Sequence, residues 1–145
     1  MADDRYGLQR FVAAQEDAAI YARALGELRD GRKRSHWIWF VFPQIAGLGS
    51  SPMSQAYAIG SLEEARAYLA HPILGPRLRE CAEALLVADP SLTAEQILGA
   101  IDALKVRSSM TLFTRAAPED QIFTTVLDRF YNGDADPETD RRLDD

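Results

Sequence analysis

SHWIWFVFPQ, residues Ser35 to Gln44, is the stretch on which the fold class turns. Its middle, Trp37 to Phe42, is six apolar residues in a row, four of them aromatic. A run this short reads equally as a buried strand or a turn of buried helix, because periodicity cannot separate the two. Composition favours a strand, since aromatic and β-branched side chains suit a pleated surface. The flanks favour a helical turn, with Ser35 placed to cap it and Pro43 to stop it. As a strand the segment puts Trp37 and Trp39 on one face and Ile38, Phe40 and Phe42 on the other; as a helix those faces mix. The residues alone leave the alternatives level.

Outward from this block the chain reads as helices. Before it, Ala18, Tyr21, Ala22, Leu25 and Leu28 repeat at three- and four-residue spacing, which predicts a helix over 15–30 with Gly31 at its C-terminal cap. Phe11 and Val12 extend the stripe. After the block, Ile45 to Ser54 is a Gly/Ser/Pro loop. Ser61 and Glu64 have capping-box spacing, starting a helix that carries Ala65, Tyr68 and Leu69 inward and ends near His71-Pro72. A further helix opens at Pro76, buries Leu78, Cys81, Ala82, Leu85 and Leu86, and ends at Asp89-Pro90. Thr93 and Gln96 form a second box, and Ile97, Leu98, Ile101, Leu104, Met110, Leu112 and Phe113 support one or two helices between Ala94 and Thr114. Pro118-Glu119-Asp120 starts the last long helix, with Ile122, Phe123, Val126, Leu127 and Phe130 inward and Gly133 as its cap.

No βαβ alternation, internal repeat or dividing linker interrupts this pattern. The expectation is a mainly α, single compact domain over 1–145 of about six to seven helices, with 1–10 and 134–145 fraying or, at the C-terminal end, closing in a short helical turn.

One cysteine excludes an intramolecular disulfide, and the opening MADDRYGLQRFVAAQ lacks a secretory pattern, so a reducing cytoplasm is the expected compartment. No apolar stretch approaches the roughly 20 residues that span a bilayer, so no membrane role is expected. A net charge of −6 argues against nucleic acid as a partner. The basic group Arg29, Arg32, Lys33 and Arg34 reads as a solvated helix end that complements the helix dipole.

Phosphate-binding glycine loops, a nucleophile elbow and a zinc signature are absent from the sequence, so no metal or cofactor is assigned. Cys81 falls on an apolar stripe, where a core role outweighs a catalytic thiol. His71 closes a helix and suits a structural role. His36 is the stronger candidate: a titrating imidazole beside Trp37 and Trp39 suits a nucleobase, ribose or other planar ligand, against the alternative of a core histidine bonded to backbone. Gln44 and the hydroxyls of the following loop, Ser54 among them, can cradle an anion or sugar. A second cluster, Lys105 to Thr111, sets two basic residues and three hydroxyls, including Ser108 and Ser109, around one apolar stripe. It is either a polar pocket floor or a helix whose hydroxyls bond back to their own carbonyls.

These two segments carry a resemblance. SHWIWFVFPQ, GLGSSPMSQAYAI, HPILG and DALKVRSSMTLF resemble the blocks of a bacterial family of uncharacterised proteins known as domain of unknown function 1810, over roughly Phe11 to Leu143. The resemblance implies a mainly helical fold and tips Trp37 to Phe42 toward a helical or irregular segment, but implies no established activity. Its blocks coincide with His36, Trp37, Trp39, Pro43, Gln44, Gly47, Gly49, Ser54, Tyr57, Lys105, Ser108 and Ser109.

The functional expectation is a pocket for a small polar or nucleotide/sugar-like ligand between segment 35–57 and helix 102–112, with His36 or Asp102 as the available acid or base. The alternative is a non-enzymatic protein-interaction module that uses exposed tryptophans. The oligomeric state is left open.

Overall fold

The computed structural model describes residues 4–144. Among them lie ten α-helical segments: α1 (Gln9–Glu16), α2 (Ile20–Arg29), α3 (Ile38–Val41), α4 (Pro52–Ala56), α5 (Leu62–Ala70), α6 (Leu74–Leu86), α7 (Ala94–Leu98), α8 (Ala100–Ala116), α9 (Gln121–Tyr131) and α10 (Pro137–Asp144). Seven run eight residues or more; α3, α4 and α7 are turns of four or five. The fold is therefore all helical, as expected.

The central element is α8, which packs against α5, α7, α9, α10 and α3. Its inward residues, Ala103, Val106, Met110 and Phe113, follow helical spacing and are buried. A row of aromatic contacts crosses the core: Phe11 meets Tyr68 at 5.2 Å, Tyr68 meets Phe113 at 5.5 Å, and Phe113 meets Phe123 at 5.8 Å between ring centroids. Buried Gln15 donates to the Phe40 carbonyl at 2.7 Å and accepts from Arg77 at 3.1 Å, so its amide is satisfied while it ties α1 to α3 and α6.

Trp37 to Phe42 resolves into the single turn α3, capped at Trp37. Ser35 is not its cap; its hydroxyl donates instead to Glu27. The chain then runs extended, and Ile45 pairs with Ile59 in an isolated parallel bridge. Capping explains several other boundaries. Thr93 and Gln96 form both halves of their box. Ser61 accepts from the Glu64 amide, but the Glu64 carboxylate turns to the Gly60 amide and to Arg10, so that box is half formed.

Other expectations need correction. The helix over 15–30 is broken at Asp17–Ala19, where Ala18 and Ala19 both take positive φ, and Ala18 and Ala22 face solvent. The break re-aims α2 so that Ala24, Leu25 and Leu28 turn inward. The helix expected at Pro76 begins at Leu74, because Nδ1 of His71 accepts the Ile73 and Leu74 amides. Proline is tolerated there, since first-turn amides have no intrahelical partner anyway. The last long helix starts not at Pro118 but after Asp120, which caps it. Ile101 and Leu104, read as inward, are 72% and 64% exposed; smaller Ala103 and Val106 take the core side, and Tyr131 of α9 donates to the Ala103 carbonyl.

The C-terminal segment docks as α10: Thr139 is buried, and Arg115 pairs with Asp140. Of the ends expected to fray, residues 1–3 and 145 lie outside the described residues. Among the described residues no helix is long and apolar enough to cross a membrane.

Candidate functional site

The site begins with a carboxylate on the inward side of α2. Oε1 of buried Glu27 accepts the Arg34 amide at 2.7 Å, the Ser35 amide at 3.0 Å and the Trp37 indole N–H at 2.9 Å, and Oε2 accepts the Ser35 hydroxyl at 2.6 Å. Burial alone would push this carboxyl up. Hydrogen bonds from the Ser35 hydroxyl, the Arg34 amide, the Trp37 indole and the Ser35 amide outweigh it and hold the group down at about 2. The loop that carries His36 is thus wrapped around a fixed anion.

Lys33 completes the anchoring. Its amide donates to the Ile97 carbonyl at 2.7 Å, and its ammonium pairs with Asp102 at 2.9 Å and lies 5.0 Å from the Trp37 ring centroid. The Lys33 side chain is only 8% exposed. Arg34 pairs with Asp30, and Arg29 approaches Glu80, so three members of the basic group are partnered within the chain. From the other side, Lys105 reaches Asp102 at 3.4 Å and places its ammonium 4.4 Å from the Trp39 ring centroid. Asp102 therefore lies between two ammonium groups, and Lys105 lies on an aromatic face, as a cation–π contact requires.

Two recesses flank this pair. The larger, about 420 Å³, is lined by Lys33, His36, Trp37, Trp39, Asp102 and Lys105 together with the first turn of α8. That turn follows Gly99, whose φ of +89° suits glycine and which offers no side chain to cap the helix, so the positive end of a 17-residue dipole faces the recess. The smaller, about 140 Å³, is lined by Trp39, Gln44, Leu48, Ser54, Tyr57 and Lys105, with Ile45, Gly49 and Ala58. Trp39 and Lys105 belong to both.

The residues singled out from sequence fall into three groups. His36, Trp37, Trp39, Gln44, Ser54, Tyr57 and Lys105 come together around the double recess. His36 is exposed at its rim, Trp39 is half-buried, and Trp37 is 1% exposed, a wall fixed by its bond to Glu27. Ser108 and Ser109 line neither recess. Ser108 donates to Asp136 at 2.8 Å, an anchor for the segment leading into α10, and Ser109 is fully buried with no partner for its hydroxyl among the described residues. A floor of hydroxyls under the pocket is thereby corrected: the hydroxyl face of α8 turns toward α10 and the core, and only Lys105 and Asp102 reach the recess. Glu27 lies outside every candidate read from the sequence, where an acid on a helix carries no mark of the loop that folds onto it, and Lys33, read there as part of a solvated helix end, is instead nearly buried in the segment after α2.

His71 and Cys81 take structural places. His71 accepts backbone amides, and burial, with the Glu80 charge behind it, pushes the Cys81 thiol up to about 12.

The comparisons with other proteins place the chain. No curated protein matches it. The crystal structure of the conserved hypothetical protein Rv1873 from Mycobacterium tuberculosis is similar to it at 48% identity with a TM-score of 0.94, over 98% of this chain and 99% of that one. A family model described as "Protein of unknown function (DUF1810)" matches residues 5–143. That span and the shared all-helical architecture make the chain a member of this family of proteins of unknown function.

Proposed function

We propose that the chain binds a small polar ligand with a ring, nucleotide- or sugar-like, in the double recess beside α8. The observation that carries this reading is the shared wall: the half-buried Trp39 ring offers a stacking face, and the Lys105 ammonium on that face marks where a polar group is accepted. The larger recess lies within the 300–1,000 Å³ typical of small-molecule sites. Gln44 and Ser54 supply neutral donors and acceptors beside Tyr57, and His36 stands at the open rim. A partner surface built on two exposed tryptophans is the weaker reading, because Trp37 is buried. One buried cysteine suits a reducing compartment, and we place the protein in the cytoplasm on that ground.

A thermal-shift screen against a metabolite library tests the reading, since a ligand that binds only the folded state raises its apparent stability. Hits are expected to quench tryptophan fluorescence, and Trp39→Leu is expected to abolish both shift and quench while leaving the unliganded melting temperature within a few degrees. Hits that survive Trp39→Leu would place the ligand elsewhere.

A further inference from the structure

The two recesses share Lys105, but only the larger adds a second ammonium group, Lys33, with the Asp102 carboxylate between the two, and that difference bears on which way round a ligand lies. Around the larger one stand two ammonium groups, Lys33 and Lys105, against one carboxylate, Asp102, which both contact. Lys105, which it shares with the larger, is the one charged side chain in the wall of the smaller recess among the described residues; Trp39, Tyr57, Leu48 and Ile45 make the rest aromatic and apolar, with Gln44 and Ser54 as neutral polar points. An excess of positive charge is notable in a chain whose net charge is −6. Arginine, whose planar fork matches a carboxylate, lines neither recess among the described residues, whereas lysine serves phosphate as a point charge.

Resting on the binding reading above, we infer that the ligand is a phosphate monoester of a ring compound, with its ring in the Trp39–Tyr57 recess and its phosphate between Lys33 and Lys105. Lys105 has a double part. Without ligand its ammonium covers the Trp39 ring and leans on Asp102; with ligand the ring displaces it from the tryptophan face, and it turns to the phosphate. Asp102 contacts both ammonium groups and leaves a single net positive charge in the larger recess, which suits a monoester rather than a longer polyphosphate. Lys33 is prepaid for this role, being nearly buried and held by Asp102 and by its own backbone bond to α7.

The ring can come from a nucleoside or a hexose, and calorimetric titration of the full chain separates them. The probes are the four common nucleoside 5′-monophosphates, the matching nucleosides, glucose, glucose 6-phosphate and inorganic phosphate. At least one phosphorylated ring compound is expected to bind about tenfold or more tightly than its unphosphorylated parent, with inorganic phosphate competing and added salt narrowing the gap. Lys33→Met is expected to erase that gap. Lys105→Met, the variant less exposed to a folding defect because its side chain is more exposed, should move the two affinities in opposite directions: weaker for the phosphate, stronger for the bare ring onto an uncovered Trp39. Equal affinity for parent and phosphate, or a gap that survives both lysine variants, overturns this inference while leaving the binding reading in place. If no ring compound binds in either form, both readings fail.

Discussion

Replacing Glu27 with Gln keeps the shape of the side chain and removes its charge, which makes it a direct test of whether the His36 loop is wrapped around an anion. The amide oxygen can still face the Arg34, Ser35 and Trp37 N–H donors, and the amide nitrogen can face a rotated Ser35 hydroxyl. What is lost is charge assistance, about 1 kcal/mol for each of three N–H bonds, or roughly 3 kcal/mol in all. Linkage, which reads the same hydrogen bonds, gives a similar size. A carboxyl lowered from 4.5 to about 2 on folding contributes about 3 kcal/mol at neutral pH. Because the folded value is the depressed one, this stability is fully present above pH 4.5 and is lost as pH falls toward 2. Urea unfolding of wild type and Glu27→Gln at pH 7 and pH 3 reads both consequences through the midpoints, with the slope m expected unchanged. The stability gap should be about 3 kcal/mol at pH 7 and shrink by roughly 2 kcal/mol at pH 3, where half of the linkage range has been crossed. A gap below about 1 kcal/mol at pH 7, or one that does not change with pH, would refute the keystone role.

The same substitution at two glycines should act with opposite sign. A methyl on Gly75 would run into the backbone carbonyl of Leu69, where α5 and α6 approach, so Gly75→Ala is expected to cost about 1–3 kcal/mol and lower the melting temperature; Gly26 lies mid-helix with nothing near its added methyl, so Gly26→Ala should raise it by about 0.5–1 kcal/mol of stability. Matching thermal melts that move both variants in one direction would contradict this packing. Leu85 is buried in α6 and Leu104 is exposed on α8, so Leu85→Ala should lose about 2–5 kcal/mol in denaturant titration while Leu104→Ala stays within roughly 0.5 kcal/mol.

What was legible from sequence was what is local. Thr93 with Gln96, Ser61, and the stripes of α5, α6 and α9 announce themselves within a few residues, because caps and amphipathic spacing are short-range physics. The face of the first half of α8 is hard to read because Ile101 and Leu104 point out while Ala103 and Val106 point in; what packs against the helix decides that, and this is not written in the helix itself. Glu27 was invisible for a related reason. An acid on a helix reads as solvated until a loop several residues on folds back to supply four donors. Trp39 and Lys105 meet across the two segments that the sequence reading joins, but of the polar lining expected there Ser108 and Ser109 are absent: their hydroxyls face the segment before α10 and the core.

The same geometry bears on whether the recess turns a ligand over or only holds it. Acid–base chemistry usually needs groups free to exchange a proton within hydrogen-bond reach of the reacting atom. Asp102 lies in the larger recess, yet both of its oxygens are committed, one to Lys33 at 2.9 Å and the other to Lys105 at 3.4 Å. Taking a proton there would break two ion pairs at once, which sets Asp102 apart from a free general base. Glu27 is held down at about 2 by its donors and faces the loop, not the recess. His36 remains, exposed at the rim and without a carboxylate fixing its tautomer among its described hydrogen bonds. An exposed imidazole beside the Lys33 and Lys105 ammonium groups fits the proposed recognition of an anionic group. Turnover would require the ligand itself, or a movement of Lys105 that frees Asp102, to supply the second proton-transfer group.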